Sequence, residues 1–274
     1  MSRVSSMKKL LYLIILLLYT FPAYAGPYNL IVVSGGGTAF TQDANAVGAW
    51  YMNGASASNE TDRTSNGNTL TQNNSPQTSA NVPTGFTGKS RTTGGSSFLN
   101  HADGGSLDIN GGTAVVTVAA WIYCTGAPTS GNFGGVVTKW NATGNQKQYA
   151  LSIYGTGSSQ FSIRGLISGD GSTTHYTEST TTTYAQSTWY HIAVVDNNID
   201  IRVYVNGSLA NASPTAHTTG IFNGTQYFSV GDLGGANLFN GQIDEPIVFN
   251  RALSASEILA IYNNGISGNK GGSD

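Results

Sequence analysis

Between His191 and Gly207 the sequence alternates with a period of two, and this restricts the chain to β-structure more than any other feature. Ile199, Ile201, Val203 and Val205 fall on one side of an extended strand, and Asp200, Arg202 and Tyr204 on the other. The preceding arm, His191-Ile192-Ala193-Val194-Val195, is apolar, and Asp196-Asn197-Asn198 supplies the turn between the two. Asn206-Gly207 then reverses the chain again. A hairpin with one dry face needs a second apolar layer to cover that face.

Other segments supply that layer. Residues 115–123 read Val-Val-Thr-Val-Ala-Ala-Trp-Ile-Tyr, a strand buried on at least one face. Further strands are expected over 227–230 and 242–249, whereas 53–106 consists mostly of loop-forming types. One short helix is marked near the end. Ser254 and Glu257 form a capping box, Leu253 and Ile258 sit at the staple positions, and Ile258, Ile261 and Tyr262 make the apolar stripe up to Gly265. With 36 Gly, few charges and no internal repeat, the economical arrangement is an all-β, two-sheet antiparallel jelly-roll sandwich with one short C-terminal helix.

The first residues predict export. Met7-Lys8-Lys9 is basic, Leu10–Tyr19 is apolar but short for a bilayer, and Ala23-Tyr24-Ala25 has the small-x-small pattern of a cleavage site. We therefore expect a signal peptide over 1–25, cleavage near Ala25, and a secreted or periplasmic product that meets a membrane only during export. A linker or edge strand over 26–45 and a flexible tail over 266–274 would flank one domain of 46–265. Losing Arg3, Lys8 and Lys9 takes three positive charges from the formal −2 and leaves −5. No basic patch survives, which argues against nucleic acid as a partner. Cys124 is the one cysteine, so the fold stands without an internal disulfide, and its place at a strand end reads as a buried hydrophobe.

Six stretches resemble the laminin-G-like, concanavalin A-like lectin domain of secreted bacterial proteins, in that family's order and spacing. They are AVGAWYM (46–52), TDRTSNGNTLT (61–71), VTVAAWIY (116–123), STWYHIAVV (187–195), IRVYVNGSL (201–209) and FNGQIDEPIVFNRALSASEILAIYNNG (239–265). The resemblance implies a jelly roll, and members of that fold bind sugars, proteins or calcium, while some are enzymes. It also implies a structural calcium, with Asp62 and Asp244 carried over as ligands. The sequence departs from the family where Tyr51-Met52-Asn53 replaces the usual Phe-Asp/Glu pair after Trp50.

Sugar binders stack pyranose faces on exposed aromatics. Trp50, Trp121 and Trp189 lie in motif strands and read as core. Trp140 precedes the loop-like stretch Asn-Ala-Thr-Gly-Asn-Gln and is expected to be exposed, with Tyr176, Tyr154 and His175 beside it as ligand-binding residues. Catalysis has weaker support. A glycosidase needs two placed carboxylates, and no Glu-x-Asp-x-(x)-Glu run occurs. Asp244 and Glu245, adjacent on a strand, should point to opposite faces. The reading is a secreted module that binds carbohydrate or a surface or matrix ligand. The alternatives are a divergent polysaccharide hydrolase or lyase of the same fold, and a structural adhesion protein without a sugar ligand.

Overall fold

A computed structural model describes residues 39–211, 213–268 and 270. The expected signal peptide, the first part of the 26–45 segment and the last four residues lie outside these. Seventeen strands follow in chain order: β1 (Ala46–Ala49), β2 (Thr71–Asn73), β3 (Gln77–Ser79), β4 (Ser90–Thr93), β5 (Phe98–His101) and β6 (Val116–Gly126). The middle of the chain forms β7 (Phe133–Asn141), β8 (Gln146–Gly157), β9 (Gln160–Ile167), β10 (His175–Glu178), β11 (Tyr184–Ala185) and β12 (Trp189–Asp196). Then come β13 (Asp200–Val205), β14 (Ser208–Leu209), β15 (Thr215–Ala216), β16 (Phe228–Val230), β17 (Asn240–Phe249) and the helix α1 (Ala255–Asn264).

They form two antiparallel sheets. The first has the order β14-β13-β12-β6-β17-β4-β3, with β1 also on β17 and β15 on β13; the second runs β10-β9-β8-β7-β16-β5-β2, with β11 on β9. The expected hairpin pairs Ile192 with Val205 and Val194 with Val203. Ile201, Val203 and Val205 face the interior, but Ile199 sits in the turn and is exposed. Between the sheets, Val118, Ile122, Val194 and Ile243 of the first meet Leu151, Ile163, Phe228 and Val230 of the second. Cys124 is buried here as a free thiol, and burial pushes it up to about 11. Trp50 stacks on Phe228 and donates its Nε1 proton to the Asn68 carbonyl at 2.9 Å.

The outer face of the first sheet is not wet, because α1 lies against it. Ala119, Val195, Tyr204, Ile247 and Phe249 pack with Leu253, Ile258, Ile261 and Ile266. The capping box at Ser254 and the C-cap at Gly265, with φ 72°, bound the helix as the sequence indicates. Two expectations at its flanks are corrected. Phe40–Gln42 is a 3-10 turn with Phe40 buried, neither linker nor strand. Ile266 is buried rather than frayed, and its carbonyl accepts from the backbone N–H groups of Phe40 and Thr41.

Three of the four short strands in residues 53–106 are hidden in the sequence, since their rungs are polar: Thr71-Gln72-Asn73, Gln77-Thr78-Ser79 and Ser90-Arg91-Thr92-Thr93. Charge-assisted hydrogen bonds replace apolar anchors there. Asp62 accepts from the N–H groups of Ala49, Thr64 and Asn68 and from the Thr64 hydroxyl, at 2.8–3.1 Å. Arg91 is fully buried, pairs with Glu60 and donates to the carbonyls of Ala55 and Pro76.

A second buried cation organises the rim of the other sheet. Lys139 on β7 places its ammonium among Asp103, Asp108 (2.8 Å) and the carbonyl of Gln226 (2.6 Å). The acceptors come from segments around 103–108 and 224–226, so one internal cation ties two loops to a central strand.

β17 departs from regular alternation at Asp244. The register with β6 shifts between Asp244, opposite Trp121, and Ile247, opposite Ala119. Glu245 takes φ 45°, in the left-handed region that favours glycine. Asp244 and Glu245 are therefore both buried, contrary to the expectation that they face opposite ways. Burial pushes the Glu245 carboxyl up to about 7 and Asp244 well above the usual range, the latter helped by the adjacent Glu245.

Two outcomes follow. Lys139→Met should lose on the order of 3 kcal/mol in urea denaturation, because it leaves carboxylates uncompensated, whereas Lys89→Met at an exposed site should change less than about 0.5 kcal/mol. Glu245, with an ordinary value of 4.5, binds its proton more tightly when folded. Its contribution to stability is full below about pH 4.5 and is lost as pH rises through about 7. Denaturation at pH 5 and pH 8 should show the wild type weaker at pH 8, and Glu245→Gln should reduce that difference.

Candidate functional site

The outer face of the second sheet carries the most exposed aromatic cluster among the described residues. Because β8, β9 and β10 pair in register, Arg164 lies opposite Ser152 on one side and Glu178 on the other. Tyr154 and Tyr176 are thus its diagonal neighbours, within reach of a long side chain. The Arg164 guanidinium carbon lies 3.3 Å from the Tyr154 ring centroid, 4.8 Å from that of Tyr176 and 5.7 Å from that of Phe133. Glu178 accepts from Arg164 at 2.8 Å and from the Ser162 hydroxyl, which holds the guanidinium flat. Phe133 meets Tyr154 edge-on at 5.0 Å, and Tyr176 is 47% exposed. Beyond Phe133 a cleft of about 360 Å³ opens between Pro128–Asn132 and Ala236–Asn240.

This arrangement sorts the expected ligand-binding residues. Tyr154 and Tyr176 come together around Arg164. His175 does not join them. It alternates with Tyr176 and meets His217 at a tilt, 5.0 Å between ring centroids; His217 is itself buried and paired with Asp196 at 3.0 Å. Trp140 is corrected outright. It lies within β7, is 4% exposed, and packs with Ala150, Leu166 and Leu233 under the loop that follows β16. A register shift lies between Lys139 and Trp140, and β7 continues through Asn141 before the turn begins at Ala142. Trp189, expected in the core, is half-exposed, lies 5.5 Å from Tyr123 and bonds Asn81.

Arg164, Phe133 and Glu178 escaped sequence reasoning. Their one signal was an Arg and a Glu at outward positions of two strands, and without the register nothing placed them side by side.

The donors expected for calcium do not fit that ion. Both oxygens of Asp62 are filled by four hydrogen bonds, and Asp244 accepts the Glu245 N–H at 2.9 Å in a buried, carboxylate-rich setting that favours its neutral form. Among the described residues no three His, Cys, Asp or Glu side chains are grouped to hold a metal. The oxygen cage that does enclose a cation encloses Lys139.

A likeness to known folds is clear. The binding domain of Paraclostridial Mosquitocidal Protein 1 superposes with a TM-score of 0.60 at 14% identity, over 80% of this chain and 52% of that one. Domain 4 of AbnA, a GH43 extracellular arabinanase from Geobacillus stearothermophilus solved with arabinotriose, gives 0.50 at 17% identity, over 78% and 97%. A botulinum neurotoxin type C structure, described as dependent on two ganglioside molecules for cell entry, gives 0.54 at 11%, over 77% and 51%. The chain spans about half the length of the two toxin chains. No curated protein matches the sequence. The sequence pattern named Laminin_G_3, of the concanavalin A-like lectin/glucanases superfamily, matches residues 93–259. With that pattern over more than half of its length, and the two-sheet sandwich beneath it, the chain belongs to the concanavalin A-like lectin/glucanases superfamily.

Proposed function

We propose that this protein is an exported recognition module that binds carbohydrate on the Tyr154–Arg164–Tyr176 face. The observation that carries this reading is the flat guanidinium held between two tyrosines, with one ring open to solvent. Exposed aromatic faces stack on the apolar side of a sugar ring, and the guanidinium and Glu178 supply directional partners for hydroxyls. The adjoining cleft at Phe133 gives an oligosaccharide room to continue. The arabinanase domain with arabinotriose and the ganglioside-dependent toxin lend support at the level of fold. Export rests on residues 1–25, as read from the sequence.

A hydrolase reading has less behind it. Two-carboxylate chemistry needs a pair spaced across one bond. In the strands of the second sheet Glu178 is the one carboxylate, and Arg164 and Ser162 occupy its two oxygens.

A glycan array followed by calorimetry on the best oligosaccharide tests the proposal. Tyr176→Ala should keep the wild-type melting midpoint and weaken binding by about 1–2 kcal/mol, roughly ten- to thirtyfold. Arg164→Lys should weaken binding as well, since an ammonium keeps the charge but not the flat stack. Wild-type affinity in both variants would move the ligand off this face.

A further inference from the structure

A smaller cavity, of about 210 Å³, opens on the opposite side of the sandwich, where the outer face of β6 and β12 meets the end of α1. Its walls are aromatic: Phe86, Trp121, Trp189 and Tyr262. Trp121 meets Phe86 at 5.2 Å and Tyr262 at 5.4 Å. Asn206, Asn263 and Lys270 add polar ends.

Two features distinguish this cavity from a packing gap. Trp121 is 7% exposed, and its Nε1 proton has no acceptor among the described residues. Behind it, His191 is 1% exposed, 5.4 Å from Trp121, with neither ring nitrogen hydrogen-bonded among the described residues. Burial holds that imidazole down to about 3, so it is neutral and adds no competing charge. A buried donor without a partner is costly, so a shift of the indole that brings its enclosed Nε1 to a ligand oxygen recovers free energy. The second feature is charge. The Lys270 side chain lines the cavity beside these rings and has no ion-pair partner among the described residues. The amide groups beside it suit hydroxyls, and the space suits one ring rather than a chain.

We propose that this cavity binds a single carboxylate-bearing sugar ring. The ring would lie against Trp189 and Tyr262, its carboxylate would meet Lys270, and a ring or hydroxyl oxygen would accept from Trp121 Nε1. The site lies on the other sheet from the tyrosine–arginine face, and the inference does not rest on that face binding anything.

The test is a titration of the ¹⁵N-labelled protein with methyl glucuronide, following the indole N–H resonances of its 4 tryptophans. The Trp121 and Trp189 signals should shift saturably, and those of Trp50 and Trp140 should stay. Methyl glucoside should bind at least roughly tenfold more weakly, as loss of an ion pair with a partly desolvated ammonium predicts. Lys270→Ala should weaken the glucuronide by a similar factor, and Asn263→Ala, at an exposed helix position, should weaken it without altering the fold. Tyr176→Ala should leave this titration unchanged. Absence of a saturable shift, equal binding of glucoside and glucuronide, or an unaltered titration in Lys270→Ala would overturn the proposal. A loss in Tyr176→Ala would do the same, because it would place the ligand on the other sheet.

Discussion

The pairing of β17 with β6 is the interaction on which the rest of the sandwich depends. β17 is a hub: its first residues pair with β4, its last with β1, and its length with β6. Ile243 and Val248 face the core between the sheets, while Ile247 and Phe249 face α1. One strand therefore joins both apolar layers. Its bulge at Glu245 also sets the ends of the chain, since the Glu245 carboxylate accepts the Ile266 N–H at 2.9 Å and the Ile266 carbonyl holds Phe40 and Thr41. A strained residue in a central strand persists only when its surroundings over-determine it, and here the pairing on both sides does so.

Loops with few apolar residues hold their shape by another means. Asp62, Arg91 and Lys139 each gather several partners from segments far apart in sequence. Such groups contribute little net stability when complete, because desolvation offsets their attraction, but losing one partner strands the others. The rim is thereby selective about geometry. At the rim a cage of carboxylates and carbonyls encloses a single positive charge, that of Lys139. Its resident is covalently attached, so order in the 103–108 and 224–226 segments follows from folding itself.

What could be read from the sequence divides along physical lines. The 191–207 hairpin, the 116–123 strand and α1 carry their own periodicity or caps, so their positions were legible, as was the two-sheet class. The strands between 71 and 93 were not, because their side chains are polar and their partners lie elsewhere in the chain. The same limit governed the candidate site. Tyr154 and Tyr176 could be named as aromatics near strands, yet Arg164, which joins them, acquires meaning only through the register of three strands. Trp140 was misplaced because β7 runs past it, through Asn141, before the turn begins. Asp244 and Glu245 were misplaced because the register of β17 with β6 shifts there.

The two outer faces explain where recognition can occur. The first sheet is covered by α1, whose stripe buries Ala119, Ile247 and Phe249. Among the described residues the second has no helix over it, and its Trp140 end is closed by Leu233. The strands β8 to β10 thus present Tyr154, Arg164 and Tyr176 outward without a covering element. An exposed cluster of this kind carries a cost in solubility that a purely structural face would shed by substitution to polar residues. The Arg164–Glu178 pair keeps the rings ordered instead of hiding them, and a preorganised surface gives up less conformational freedom on binding. A covered sheet that anchors the fold and a second sheet that holds ordered aromatics outward together make the scaffold on which the proposed recognition would take place.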